Sequence, residues 1–179
     1  GETADSLAAL RLARASGALA LGICNVVGST IARESEGGVY IHAGPEIGVA
    51  STKAFTSQLS VLGLITLLLA RKKGMNRETG RQLTRELRSL PQKVAEILSS
   101  TGQIERIAQE FHACRNFLYL GRGYNFPVAL EGSHKLKEIS YIHSEAYPAG
   151  EMKHGVNALL TPELPVLGIL TQNQLYEKM

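Results

Sequence analysis

Phe117-Leu118-Tyr119-Leu120 is a short apolar run that stops at Gly121-Arg122-Gly123, and a helix-length segment from about Tyr124 to Ile142 follows it. Strand, glycine turn and helix in that order restrict the chain to α/β architectures. The same rhythm occurs earlier. Leu7, Leu10 and Leu12 mark a first helix that ends at Gly17, and Leu19 to Asn25 is a nearly continuous apolar run. Such runs fit strands buried on both faces of a parallel sheet. A turn at Gly28-Ser29-Thr30, the polar connector Arg33-Glu34-Ser35-Glu36 and a short strand at Val39-Tyr40-Ile41 come next. The expected fold is doubly wound, with parallel sheets flanked by helices.

Ala43 to Thr56 holds Gly44, Pro45 and Gly48 and reads as a loop, with Ser51 or Thr52 available to cap the next helix. Loops beyond the carboxyl ends of strands line the ligand crevice of an open α/β sheet. The backbone of Val49 and the Ser51 hydroxyl are therefore candidate ligand contacts. The helix from about Ser51 to Lys73 is apolar nearly all round its middle, which predicts burial. Its greasiest stretch, Leu59 to Ala70, is short of a bilayer's span. From Arg77 to Ser99 the stripe Leu83, Leu87, Leu90, Val94, Ile97 and Leu98 marks an amphipathic helix that Pro91 is expected to kink or split. The organisation read from this is a first domain over 1–90, a linker over 91–102 and a second domain over 103–179.

Composition narrows the partners. The net charge is +3 and no Lys/Arg block exceeds Arg71-Lys72-Lys73, so nucleic acid is not an expected partner. Cys24 and Cys114 stand far apart, in no metal or redox spacing, and read as buried, reduced thiols of a cytoplasmic protein. No metal is implied, since Cys, His, Asp and Glu nowhere cluster with ligand spacing. No secretory signal opens the chain and no membrane partner is expected. With Gly1 first and Leu175-Tyr176-Glu177-Lys178-Met179 last, the chain reads as an internal fragment.

Chemistry concentrates after the glycine turn. Glu131, Lys135 and Glu138 are spaced i, i+4 and i+7, so they share one helix face. One reading is a solvated ion-pair ladder. The other notes Val128, Leu136, Ile139 and Ile142 on the neighbouring arc, which sets the charged face at the edge of a crevice, where a carboxylate can be tuned for proton transfer. A polar loop then supplies Glu145, Glu151, Lys153 and His154; glycines flank the histidine and allow close backbone approach to a ligand. Thr3, at the start of the first helix, suits either capping or phosphate, and capping is the simpler reading. Gly121-Arg122-Gly123 lacks the third glycine of a dinucleotide fingerprint, and the strand after it ends in Thr171-Gln172 without a ribose-binding acid.

Four segments carry a resemblance: Gly1-Glu2-Thr3-Ala4-Asp5, Asn25-Val26-Val27-Gly28-Ser29, AGPEIGVASTKAFT from Ala43 to Thr56, and LKEISYIHSEAYPAGEMKHG from Leu136 to Gly155. Together they resemble the glutamine–fructose-6-phosphate aminotransferase family, and within it the tandem sugar isomerase (SIS) domains. The resemblance implies the later part of one SIS unit followed by the start of a second. It implies an enzyme that makes glucosamine 6-phosphate from fructose 6-phosphate and glutamine-derived ammonia, without organic cofactor or metal. By resemblance Thr3, with the Gly1 turn, ends the loop that holds the sugar phosphate, and Val49 and Ser51 contact substrate. Glu138 shuttles a proton between C1 and C2, with Lys135 beside it. His154 opens the sugar ring, reaching the site from the other subunit of a homodimer. Glu131 matches a family glutamate whose role stays open. A glutaminase domain of the same full-length chain would be a further partner. His134 and Val156-Asn157 depart from the family's pattern. Two other functions fit an SIS unit: another sugar-phosphate isomerase or deaminase, and a non-catalytic regulator that binds a sugar phosphate.

Overall fold

The computed structural model describes residues 2–179 and divides into two compact units, Gly1–Glu96 and Ile97–Met179. In the first unit, α1 (Ala4–Ala15) ends at Gly17, whose positive φ of 80° turns the chain into the sheet. The strands β1 (Leu21–Cys24) and β2 (Gly37–Tyr40) pair in parallel, Leu21 opposite Gly37 and Cys24 opposite Tyr40. Glycines let them approach: a Cβ on Gly38 would lie 2.1 Å from the Gly22 carbonyl oxygen. The connector between the strands is not wholly irregular but contains a short helix, α2 (Thr30–Glu34). Arg11 and Arg14, three apart on α1, reach across to it and its end, pairing with Glu34 at 2.6 Å and Glu36 at 2.9 Å.

β1 is shorter than its apolar run, and only one of its faces is covered. Gly22 and Cys24 are buried, whereas Leu21 on the opposite face is 60% exposed. The long helix α3 (Lys53–Lys72) also departs from expectation, because none of its residues is fully buried and Leu62, Leu64 and Leu68 remain about half exposed. Its 20 residues fall within the expected 51–73, and although Leu59 to Ala70 alone is short of a bilayer's span, the whole helix is long and apolar enough to cross a membrane by length and composition only. The Gly74 turn leads to α4 (Arg77–Ser99), which Asn76 caps by accepting from Thr79 N at 2.8 Å. Pro91 does not split α4; the helix runs through it without a break. α4 packs on α3 where Leu87 meets Gly63, a position at which any Cβ would touch the leucine at 3.5 Å.

The second unit opens in the last turn of α4 and continues with α5 (Thr101–Phe111). Its sheet holds β3 (Asn116–Gly121), β4 (His143–Pro148) and β5 (Val166–Gly168), all parallel, in the order β4-β3-β5. Between β3 and β4 runs α6 (Asn125–Ser140), packed on both strands. Gly121 makes the strand-to-helix turn possible, since a Cβ there would sit 2.3 Å from the Asn125 carbonyl oxygen. The sheet-facing stripe of α6 is Asn125, Ala129 and Ser133, at i, i+4 and i+8. Val128 and Ile139, expected on the buried arc, are more than half exposed. β4 is a strand where a polar loop was expected. Its inward residue Ser144 is fully buried, bonded to Ser133 Oγ at 3.0 Å and donating to the Ser133 carbonyl at 2.7 Å. That paired hydroxyl replaces the aliphatic side chain by which a strand is usually recognised.

Candidate functional site

In the first unit the structure builds a loop around one carboxylate. Asn25, just past β1, grips the start of residues 41–52: its Nδ2 donates to the Gly44 carbonyl at 2.6 Å, and its Oδ1 accepts from Ala43 N at 2.9 Å. Glu46 then closes the far end. Its Oε1 accepts from Thr52 N at 3.0 Å and Ala54 N at 2.9 Å, and from Ser51 Oγ at 3.5 Å. The cap of α3 is therefore Glu46. Ser51 and Thr52, the residues expected to cap it, make no such bond, and Thr52 sits at the N-cap position with its side chain uninvolved. The Ala54 and Thr52 amides hold the Glu46 carboxyl below its ordinary value. Val49, midway round the loop, is 93% exposed.

Thr3 occupies the N-cap position of α1 with extended backbone, and its hydroxyl makes no capping bond. The simple capping reading of that hydroxyl does not hold. Glu2 Oε1 accepts from Thr30 N at 2.7 Å, which ties the start of α1 to the start of α2. Gly1, expected to form part of the same turn, lies outside the described residues. Among the described residues no hydrogen bond joins Thr3 to Val49 or Ser51.

The second unit gathers the charged face of α6. Lys135 Nζ donates to Glu138 Oε2 at 2.5 Å and lies 3.5 Å from Glu131 Oε1. These side chains retain only 22% (Lys135), 27% (Glu131) and 26% (Glu138) of their exposure, too little for a freely solvated ladder. His134, one turn before Glu138, places Nε2 3.1 Å from its Oε1. The Lys135 bond holds the Glu138 carboxyl below its ordinary value; partial desolvation opposes this and His134 adds to it. The same bond raises Lys135. His154 ends a 3-10 turn (Ala149–His154) that follows β4, largely exposed, 3.9 Å from Glu151.

Topology separates Glu138 from His154. Glu138 stands two residues before the end of α6, which delivers the chain to the amino end of β4, whereas His154 follows its carboxyl end. Six strand residues between them span roughly 20 Å at about 3.3 Å per residue. Glu145, read as a loop residue, is on β4 and accepts from Tyr147 Oη at 2.7 Å, a bond that raises the tyrosine pKa. A cavity of about 630 Å³ opens at the amino ends of β3 and β4, lined by Cys114, Arg115, His143, Glu145 and Thr161 among others; Lys135, Glu138 and His154 do not line it. Among the described residues no group of three or more His, Cys, Asp or Glu is arranged to hold a metal. Asn25, Glu46 and His134 were missed as functional partners. Only His134 left a signal, its i, i+4 spacing from Glu138.

Parallel sheets flanked by helices, with a charged cluster on the helix between two strands, define a doubly wound α/β domain. The sequence pattern of the SIS domain matches residues 1–68 and 110–179, so the chain belongs to the SIS domain family. Along its whole length it is 57% identical to glutamine–fructose-6-phosphate aminotransferase (isomerizing) of Bacteroides thetaiotaomicron, and 57% identical to that of Chlorobaculum tepidum. It spans 29% of the length of each. The solved C-terminal domain of glucosamine-fructose-6-phosphate aminotransferase from Francisella tularensis superposes with a TM-score of 0.96 at 41% identity, covering 99% of this chain and 51% of that one. The chain is thus similar, end to end, to the SIS segment of these aminotransferases.

Proposed function

We propose that this chain is the isomerase segment of an enzyme that makes glucosamine 6-phosphate from fructose 6-phosphate and glutamine-derived ammonia. The observation that carries the reading is the Glu138 carboxylate, mostly covered and held by Lys135 at 2.5 Å. After ammonia condenses at the ketose C2, a proton must leave C1 and arrive at C2. One carboxylate with a free lone pair performs both halves, taking the proton and returning it one carbon along. Lys135 keeps that carboxylate ionised and orients it. The uncapped hydroxyl of Thr3 and the loop bearing Val49 and Ser51 bind the sugar phosphate.

His154 opens the sugar ring. The roughly 20 Å run of β4 between it and Glu138 supports its acting on the site of a second copy, in a homodimer. A glutaminase domain in the same full-length protein supplies the ammonia. The two halves of the family match, 1–68 and 110–179, support a division into the later part of one SIS unit and the start of another. The cytoplasm is the expected location, in keeping with the free thiols of Cys24, which is buried, and Cys114, which is only partly covered where burial was expected.

The test is Glu138→Gln in the complete protein. It is expected to bind fructose 6-phosphate normally and to lose at least about a hundredfold in interconversion of glucose 6-phosphate and fructose 6-phosphate. Undiminished interconversion would refute the assignment.

A further inference from the structure

Lys135 and His134 face different oxygens of one carboxylate. Lys135 Nζ takes Glu138 Oε2, and His134 Nε2 lies 3.1 Å from Oε1. The terminal torsion of a glutamate is broad and roughly two-fold, so a single partner leaves the carboxylate plane free to swing. A second donor on the other oxygen removes that freedom. Imidazole supplies one when Nε2 carries its proton, in the neutral tautomer or the cation. Each carboxylate oxygen has two lone pairs, so one remains on each for a proton arriving from carbon. The His134 side chain is 57% exposed, and its close polar neighbour is the Glu138 carboxylate at 3.1 Å.

We propose that His134 is a positioning residue for Glu138: by holding Oε1 it fixes the plane in which the carboxylate meets the substrate's C1 and C2. The proposal rests on the reading of Glu138 as the proton-transfer base. Misplacing a reacting group by about 1 Å costs as much as a hundredfold in rate. Losing one of two contacts on the carboxylate is a milder fault.

The experiment uses the complete protein and follows exchange of the fructose 6-phosphate C1 proton with solvent in D₂O. His134→Leu is expected to lower kcat about tenfold while KM stays within about twofold. His134→Gln keeps a donor at i, i+4 spacing and is expected to recover most of that loss. Wild-type kcat in His134→Leu overturns the proposal, as does a loss confined to KM or one that glutamine does not repair. Glu138→Gln runs alongside: if it still exchanges the proton at the wild-type rate, the base assignment itself fails, and that failure is told apart from the others because it does not depend on His134.

Discussion

The proton affinity of the Glu138 carboxyl is set by its neighbours. The Lys135 bond, then the His134 contact, favour the charged form, while partial covering disfavours it. A carboxyl held below its ordinary value stays ionised further into acid, and activity that needs the ionised form falls only as pH drops through the lowered value. Removing the lysine raises the carboxyl towards its ordinary range. Lys135→Met is therefore expected to shift the acid limb of the rate–pH profile to higher pH, which a kcat/KM profile of the complete enzyme would read. An unmoved limb would show that Lys135 does not set Glu138. Spacing made Glu131, Lys135 and Glu138 equals; distance ranks them, because Lys135 sits 2.5 Å from Glu138 and 3.5 Å from Glu131. His134 was visible only as a departure, since spacing shows which residues share a face and not which way a ring turns.

At the level of elements, the cap of α3 carries the clearest prediction. Glu46 accepts two backbone N–H bonds that a helix start would otherwise leave open. Its carboxyl is held below the ordinary 4.5, so the contribution is present above that value and is lost as pH falls through the lowered one. Glu46→Gln, which cannot ionise, is expected to lower the thermal midpoint near neutrality, and the gap from wild type should close in acid. A gap independent of pH would rule out the charged cap. The sequence pointed to Ser51 and Thr52 because hydroxyls next to a helix start are the usual caps. A cap six residues upstream needs the loop's path, which local rules do not supply. β4 escaped for a different reason: its inward position is a serine paired to Ser133, so it lacks the apolar alternation that marks strands. Pro91 was expected to kink or split α4, and the split does not occur: the helix continues through it over 23 residues.

For the molecule as a whole, the architecture was legible because apolar runs alternate with helix-length segments, and because β3 ends at Gly121, where a Cβ would lie 2.3 Å from the Asn125 carbonyl oxygen of the strand-to-helix turn. The exposure of α3 was not, because an all-round apolar helix says that it wants cover and not what covers it. The separation of Glu138 from His154 gives a test of assembly. If each site takes its histidine from the partner, mixing Glu138→Gln with His154→Ala subunits makes half of the dimers mixed, each with one intact site of two. About a quarter of wild-type activity should return on mixing two nearly inactive proteins. No recovery after demonstrated subunit exchange would place both groups in one chain's own site. The length of β4 thus reaches beyond geometry. A site split between two chains makes turnover obey mass action, so specific activity falls on dilution, and any ligand spanning both halves tightens subunit association as much as association tightens the ligand.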